Sequence, residues 1–214
     1  MIIKKINLEI TVLIILYKED FIMVNTCLKN LNNFKIIIID NDNNINLKNK
    51  LCAENNIYQY ILNKKNVGFA TAANQGINKC LTKYMFILTA DCLITEKNIL
   101  NLLVAKNKYQ DTIITSPTLY DNSGNLTYNG GPLPENGAKD KPLKIEGDTC
   151  VEAVITTAVL FDVNEIKKIG LIDKNFFLYF LDDDLGRRIK LKKKSIIQVF
   201  NSKAIHEHGN LKIS

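Results

Sequence analysis

Three groups of carboxylates in this sequence follow apolar runs, at positions suited to binding a polar ligand. Asp40 ends the run from Lys35, Asp91 comes shortly after the run Tyr84 to Leu88, and three consecutive acids occupy positions 182–184. A carboxylate can accept hydrogen bonds from a ribose hydroxyl or a base N–H, hold a hard divalent cation, or act as a general base. The rest of the chain has to position these carboxylates for one of these roles.

Asp40 and Asp91 each have a functional and a structural interpretation. Asp40 either contacts a nucleoside in the ligand crevice or caps the following turn, where Asn41, Asp42 and Asn43 also favour a turn. Asp91 either holds Mg²⁺ or Mn²⁺ beside a pyrophosphate or caps the helix predicted near Glu96, a task for which Thr95 is better placed. Both alternatives stay open at this stage.

The acidic run Asp182, Asp183, Asp184 follows a strongly apolar stretch, 176–181. Acids at the start of a helix with a basic end are favoured by the helix dipole alone. The aromatic wall in front of them would also desolvate one carboxylate and raise its pKa, as a general base requires. The run is therefore either a helix start or the catalytic centre.

The segment 66–76 combines small residues with asparagines. Its glycines and alanines allow a helix to begin close to another backbone or to a phosphate-bearing ligand. The segment has neither the Gly-Lys-Ser/Thr of a Walker loop nor a G-x-G-x-x-G pattern. Tight helix packing is the alternative interpretation.

Near the C-terminus, His206 and His208 are candidate metal ligands or phosphate contacts. Two residues that are two apart on a strand share one face of it.

Alternating strands and helices are predicted to position these residues. Short aliphatic runs typical of buried strands are 10–16, 35–40, 58–62, 84–88 and 112–115. Helical stretches between them are 20–31, 47–55, 70–81 and 96–108. This alternation predicts right-handed crossovers and a doubly wound parallel sheet, with its ligand beyond the carboxyl ends of the strands.

The second half of the chain departs from this regular alternation of strands and helices. Residues 120–147 are rich in Pro and Gly and predict hairpins or a mobile loop, after which Val151 to Phe161 is predicted as a strand. Helices are predicted over 163–169 and 182–193. We expect one domain over 1–214, with a nucleotide-binding half, 1–95, and an acceptor-binding and catalytic half, 96–214.

Composition narrows the class of protein. The 214 residues, 46% of them apolar, suffice for one core, and five dispersed cysteines without a Cys-x-x-Cys pair argue against disulfides or structural zinc. The cysteine pattern fits a reducing cytoplasm, which is the expected location. The apolar run after Glu9 is too short to span a bilayer and lacks a signal-peptide cleavage site, so any membrane contact is expected to be peripheral. The basic run 187–194 is either a solvated helix face or a peripheral contact with the inner face of a membrane. It lacks interleaved aromatics, so nucleic acid is not expected as a partner.

Taken in order, these motifs resemble the family 2 glycosyltransferases of the GT-A fold, in particular the rhamnosyltransferase-like branch. The segment 66–76 is similar to the family's Asn-x-Gly-x-(Ala/Gly)-x-(Ala/Gly)-x-Asn-x-Gly, and 176–185 to its pattern ending in Glu-Asp-x-Asp-Leu. The resemblance runs from about Ile10 to Gly209. It implies a mostly parallel, Rossmann-like sheet flanked by helices on both faces, with a small second sheet or hairpin region.

The same resemblance implies site residues, which we state as expectations. It implies a nucleotide-sugar site lined by Tyr17, Asp40, Asn66, Gly68, Asn74, Ala90 and Asp91. Asp182 would be the catalytic base, with Asp183 and Asp184 in support. Asp91 and His206 or His208 would hold Mn²⁺ or Mg²⁺.

The implied reaction is inverting transfer of a sugar from a UDP- or dTDP-linked donor to a hydroxyl of a glycan, a lipid-linked acceptor or a protein, as in polysaccharide synthesis. Three positions depart from the family pattern: Thr89 replaces its first metal-binding acid, Leu181 the Glu before the base, and 156–158 a Gly-Ala. The alternatives are therefore a degenerate, non-catalytic nucleotide-binding module and a nucleotidyltransferase. The chain ends soon after His208, which also leaves open a longer protein with an accessory domain.

Overall fold

A mixed sheet with helices on both faces organises the protein in the computed structural model, which describes residues 9–137 and 141–207. The strands are β1 (Ile10–Leu16), β2 (Lys35–Asp40), β3 (Gln59–Leu62), β4 (Tyr84–Leu88), β5 (Cys92–Ile94), β6 (Thr112–Tyr120), β7 (Gly130–Gly131), β8 (Thr149–Val151), β9 (Ala153–Val154), β10 (Ala158–Asp162) and β11 (Ser195–His206). The helices are α1 (Phe21–Leu28), α2 (Ile45–Glu54), α3 (Phe69–Lys79), α4 (Glu96–Lys108), α5 (Val163–Ile169) and α6 (Leu181–Leu191).

The first half of the chain forms the predicted parallel sheet, in the order β3-β2-β1-β4. In this register Leu16 lies beside Asp40, and Ile14 lies beside Leu88. The carboxyl ends of these strands therefore meet at one edge, which confirms the expected class of fold. The predicted bounds of these strands and of the helices between them agree with the observed ones to within three residues, whereas β6 continues five residues beyond the predicted 112–115.

The second half adds strands of both directions. β10 runs antiparallel between β4 and β6, and β11 runs parallel to β6 but antiparallel to β5 and β8. β7 and β9 form the small second sheet.

The prediction of one strand from Val151 to Phe161 is wrong, because that stretch is divided among β8, β9 and β10. The interruptions arise where backbone N–H groups bond outside the main sheet. Ile155 donates to the Asn129 carbonyl at 2.8 Å, and Thr156 donates to the Asp182 carboxylate at 3.1 Å. The chain therefore leaves the main sheet after β8, pairs in the small sheet as β9, and rejoins the main sheet only at β10.

Apolar side chains of the central strands pack on both faces of the sheet. Along β1, Val12 and Ile14 join one buried cluster with α1, α2 and α4, while Leu13 joins another with α3, α5 and α6. This alternation is the period-2 geometry of a strand, and full burial of each aliphatic side chain stabilises the fold by about 1.5–3 kcal/mol. The two clusters hold the carboxyl edge rigidly between helical layers.

Local caps determine where the helices next to that edge begin. Asp20 accepts a hydrogen bond from the Met23 N–H at 2.9 Å at the start of α1, and Asn44 caps α2 in the same way. Thr95 caps α4, which removes a capping role for Asp91. None of the helices in the described part of the chain combines the length and apolar character needed to cross a bilayer.

Candidate functional site

A cleft of about 1180 Å³ opens at the carboxyl edge of the parallel strands. Its lining comes from the ends of β1, β4 and β11, the start of α3, and the loop before α6. Five of the residues expected in the site line it: Tyr17, Asn66, Ala90, Asp91 and His206. These residues come from both halves of the chain, since His206 ends β11 and the others precede residue 96.

Asp91 and His206 meet in this cleft because of strand pairing. β11 runs antiparallel to β5 with His206 opposite Cys92, the residue after Asp91. The Glu207 N–H also donates to the Asp91 carbonyl at 2.9 Å. The Nε2 atom of His206 consequently lies 3.4 Å from Oδ2 of Asp91.

The surroundings of Asp91 keep its carboxylate ionised. Burial acts to raise its pKa, but His206 and the nearby Thr89 hydroxyl outweigh it, so the pKa lies below the usual value. The other oxygen, Oδ1, is buried and has no hydrogen-bond partner among the described residues. A buried carboxylate oxygen beside an imidazole suits Mn²⁺ or Mg²⁺, which accept carboxylate ligands and take the rest from water and phosphate.

The described residues supply few metal ligands to this site. No group of three or more His, Cys, Asp or Glu residues that could hold a metal occurs within 9–137 and 141–207. His208, the second predicted histidine ligand, lies outside the described residues. Asp91 and His206 thus form a two-ligand set, which a metal would complete with water and a phosphate-bearing ligand.

Glu19 is a residue of the cleft that the sequence analysis missed. It accepts a hydrogen bond from the Tyr17 N–H, and burial raises its pKa, with further contributions from the charges of Asp91 and Asp40. Its position two residues after Tyr17, in the turn that follows β1, was the available signal. Among the described residues, the lining of the cleft includes one lysine, Lys18, and five carboxylates, which are Glu19, Asp20, Asp91, Asp121 and Glu207. An anionic ligand would therefore need an added cation to bind here.

Asp40 lies at the predicted edge, but its side chain is fully buried. Its oxygens accept hydrogen bonds from the Asp42 N–H at 2.7 Å, the Asn44 N–H at 3.3 Å and the Tyr60 hydroxyl at 2.9 Å. Burial, followed by the hydrogen bond to Asp40, raises the pKa of Tyr60. This arrangement matches the turn-capping alternative, and contact with a nucleoside base remains a prediction.

The small residues of segment 66–76 allow close packing of α3. Gly68 has φ +82°, and a Cβ at this position would lie 2.8 Å from both the ring and the carbonyl oxygen of Phe177. A Cβ at Gly76 would lie 2.5 Å from the side chain of Leu13 on β1. The packing alternative is therefore realised at both glycines, while Asn66 still faces the cleft.

Asn74 ties α3 to the loop that precedes α6. Its Nδ2 donates to the Ile172 carbonyl at 2.7 Å, and its Oδ1 accepts from the Ile172 N–H at 3.1 Å. Both ends of the amide are thus used about 100 residues away in sequence. In this position Asn74 fixes the loop, and its predicted contact with a nucleotide-sugar is untested.

The three acids of α6 have different surroundings. Asp182 is half-buried and accepts a hydrogen bond from the Thr156 N–H, and its charge also raises the pKa of Tyr128, after the larger effect of burial. Asp183 is buried. Asp184 forms an ion pair with Arg188 at 2.6 Å. Of the three, Asp182 is both accessible and next to the loop that lines the cleft.

Most cations of the basic run 187–194 are engaged within the protein. Each of four has an acidic partner within 2.9 Å: Arg187 with Glu135, Arg188 with Asp184, Lys190 with Glu152, and Lys194 with Asp111. These pairs reduce the charge available for anionic lipid headgroups. The membrane contact stays a prediction.

Comparison with known proteins agrees with this arrangement. The family model described as "Glycosyl transferase family 2" matches residues 11–164. A curated relative, the dTDP-rhamnosyl transferase RfbF of Shigella flexneri, is 26% identical over 187 residues, which are 83% of this chain. The chain spans 62% of the length of that relative.

Solved structures share the fold at low sequence identity. GalNAc-T7, crystallised with UDP, GalNAc and Mn²⁺, matches with a TM-score of 0.73 and 18% identity over 94% of this chain and 44% of its own. The mannosyltransferase PcManGT from Pyrobaculum calidifontis, in complex with GDP-Man and Mn²⁺, has a TM-score of 0.69 and 10% identity, covering 95% and 58%. TarS of S. aureus has a TM-score of 0.67 and 11% identity, covering 94% and 37%.

Proposed function

The chain belongs to glycosyl transferase family 2, and from that membership we propose that it transfers a sugar from a nucleotide-sugar donor to a hydroxyl acceptor. The observation that carries the proposal is the geometry of the cleft. The cleft is lined both by the Asp91 and His206 pair and by the loop that leads within four residues to Asp182. A donor phosphate at the pair would thus lie in the same cleft as the loop that precedes the proposed base.

For the donor we propose a dTDP- or UDP-linked sugar. The relative named above is a dTDP-rhamnosyl transferase, and one structural neighbour contains UDP. Tyr17 is 44% exposed at the cleft, where its ring offers a flat surface to a pyrimidine. The acceptor we propose is a hydroxyl of a glycan, a lipid-linked saccharide or a protein.

For the cofactor we propose Mn²⁺ or Mg²⁺ at Asp91 and His206. Two structural neighbours contain Mn²⁺, and the acidic lining of this cleft would otherwise repel a diphosphate. When bound, the metal would neutralise negative charge on the departing nucleoside diphosphate. Asp91 would contribute a carboxylate oxygen that is ionised at neutral pH, as an aspartate ordinarily is, and its lowered pKa keeps it so despite burial.

We propose Asp182 as the general base. The Thr156 N–H donates a hydrogen bond to the Asp182 carboxylate and orients it, and in this role the carboxylate accepts the proton of the acceptor hydroxyl. The oxygen of the acceptor hydroxyl then attacks the anomeric carbon of the donor sugar while the bond between that carbon and the nucleoside diphosphate breaks. A single displacement of this kind inverts the anomeric centre.

The first experiment is a screen of donors by thermal shift, with and without Mn²⁺. A donor at 100 times its dissociation constant stabilises the protein by about 2.7 kcal/mol. We expect a UDP- or dTDP-sugar to give a shift that depends on Mn²⁺ and is lost in Asp91→Asn. A shift of equal size in Asp91→Asn would contradict the metal assignment.

The second experiment separates the base from donor binding. Asp182→Asn should lower turnover by about 10²-fold or more while the Mn²⁺-dependent donor shift is kept, since a general base contributes about 10²–10⁴-fold. Asp111→Asn is the matched control, because Asp111 is an exposed acid that pairs with Lys194 directly before β6, at the opposite end of that strand from the cleft. Full activity in Asp182→Asn would refute the assignment.

A non-catalytic nucleotide-binding module is the second candidate. It is favoured by the two-ligand metal set and by Leu181, which is buried where the family pattern has a Glu. This candidate predicts donor-dependent thermal shifts without release of nucleoside diphosphate from any donor. Detectable hydrolysis or transfer of one donor would eliminate it.

A further inference from the structure

Four consecutive large apolar side chains are exposed beside the cleft. Phe177 and Leu178 are 57% and 48% exposed, and Tyr179 and Phe180 are each 71% exposed. We call these residues the aromatic segment. Exposed aromatic rings in series are unusual on a soluble surface and mark sites of interaction.

The aromatic segment is held in place at both ends. The Phe177 carbonyl accepts a hydrogen bond from the Phe69 N–H at 2.7 Å, at the start of α3. The Phe180 carbonyl accepts from the Asp184 N–H at 3.1 Å, as the first turn of α6 forms. Phe180 itself has φ +67°, a conformation that costs a bulky residue free energy. The rings are thus presented from fixed backbone, and their exposure is not that of a loose loop.

The position of the segment relates it to the reaction centre. Phe177 and Leu178 line the cleft, whereas Tyr179 and Phe180 lie beyond its lining and directly before α6. Asp182 follows two residues after Phe180. A molecule lying on Tyr179 and Phe180 would therefore be adjacent to the proposed base and outside the donor cleft.

We propose that the aromatic segment is the acceptor platform, on which Tyr179 and Phe180 stack against the C–H face of a pyranose in an acceptor glycan. This inference rests on the proposed function, and it specifies the acceptor as a carbohydrate. The negative face of an aromatic ring attracts the polarised C–H groups of a sugar ring. The carboxylate of Asp182, which follows the segment, is of the type that accepts hydrogen bonds from sugar hydroxyls, so aromatic and carboxylate groups together match a carbohydrate.

The charge around the aromatic segment favours a glycan over a membrane surface. The segment is followed by the acidic first turn of α6, in which Asp182 is half-buried and its carboxylate repels anionic headgroups. The nearest cations of α6, Arg187 and Arg188, are held in ion pairs with Glu135 and Asp184. An apolar surface that inserts into lipid normally has free cations around it, and this one is bordered by acids.

The chain contains no tryptophan, so Tyr179→Trp would place a single fluorescent reporter on the platform. The probes are a panel of di- to tetrasaccharides of neutral hexoses, 6-deoxyhexoses and N-acetylhexosamines, each at millimolar concentration. We expect the emission of Tyr179→Trp to shift to the blue with at least one saccharide of this panel. Tyr58→Trp is the matched control, because Tyr58 is 49% exposed and does not line the cleft. It should not respond to any saccharide.

Three outcomes would overturn the proposal. In the first, the emission of Tyr179→Trp shifts with vesicles of phosphatidylglycerol and phosphatidylethanolamine but with no saccharide. In the second, the emission of Tyr58→Trp shifts as much as that of Tyr179→Trp. In the third, the emission of Tyr179→Trp shifts with none of these probes. Since saccharide binding is measured without a donor, these outcomes are distinct from failure of the proposed function, which appears as the absence of turnover.

Kinetics provide the second measurement, with the saccharide that shifts the fluorescence as acceptor. Tyr179→Ala should raise the acceptor KM about tenfold, because one stacking contact is lost, with a smaller change in kcat. The Mn²⁺-dependent donor shift reports folding of the variant. Tyr58→Ala should behave as wild type, and an unchanged acceptor KM in Tyr179→Ala would contradict the platform.

Discussion

Substitution of Gly186 by Ala tests whether close packing of α6 positions the proposed base. Gly186 lies one helical turn after Asp182, on the same side of α6. An added Cβ would lie 2.3 Å from the carbonyl oxygen of Glu152 and 3.3 Å from the Cβ of Ala153. The closer atom is backbone, which cannot rotate away as a flexible side chain can, so the helix has to move outward.

The expected magnitude is the difference between two opposing effects. Ala in place of Gly inside a helix stabilises by up to about 1 kcal/mol, whereas overpacking at a fixed neighbour costs about 1–3 kcal/mol. Since the contact is 0.7 Å shorter than the 3.0 Å limit of real Cβ contacts, we expect overpacking to win. The free energy of unfolding of Gly186→Ala should fall by about 1–2 kcal/mol, measured by urea denaturation.

Activity of Gly186→Ala should fall as well. Outward movement of α6 lengthens the 3.1 Å hydrogen bond between the Thr156 N–H and Asp182, and small displacements of a catalytic group are costly. We expect kcat to fall about tenfold or more, with the donor-induced thermal shift retained.

Gly147→Ala is the control for this substitution. A Cβ at Gly147 meets nothing within 4 Å, and this variant should stay within about 0.5 kcal/mol of wild type. If Gly186→Ala were as stable as wild type and equally active, the packing argument would be refuted.

Three further predictions concern side chains that form hydrogen bonds or ion pairs within the protein. Asn74→Ala removes both hydrogen bonds to Ile172 and should lower the free energy of unfolding by about 1–3 kcal/mol in urea, with donor affinity little changed. Tyr60→Phe takes one partner from buried Asp40 and should cost about 1–3 kcal/mol; loss of nucleotide affinity without loss of stability would instead show that Asp40 acts on the ligand. The pKa of Glu152 is lowered to about 2, chiefly by its hydrogen bond to a lysine of α6, so its stabilising effect is present above about pH 4.5 and lost as the pH falls toward 2. Since both partners are partly exposed, Glu152→Gln should cost about 1 kcal/mol or less at neutral pH, and unfolding curves of the variant and wild type should converge in acid.

Local patterns were sufficient to predict much of the fold. Uninterrupted aliphatic runs such as 35–40 predict strands buried on both faces, and they form the parallel half of the sheet. The placement of Asp91 after such a run predicted its location in the cleft, because the carboxyl ends of parallel strands share an edge. The strand over 151–161 failed because its backbone partners, such as the Asp182 carboxylate, are distant in sequence.

The sequence alone determined the alternation of elements, the small-residue start of α3 and the identity of the acids at the sheet edge, since these depend on periodicity and side-chain size over short spans. Only the tertiary structure decided where the side chains point. Antiparallel pairing of β11 with β5 brings His206 to Asp91, while Asp40 turns inward to Tyr60 and Asn74 to Ile172. A shift of one residue in strand register reverses the face of every side chain, and long-range pairing sets that register. For the same reason the exposed rings of the aromatic segment came to lie beside the cleft only through the contact of Phe177 with α3.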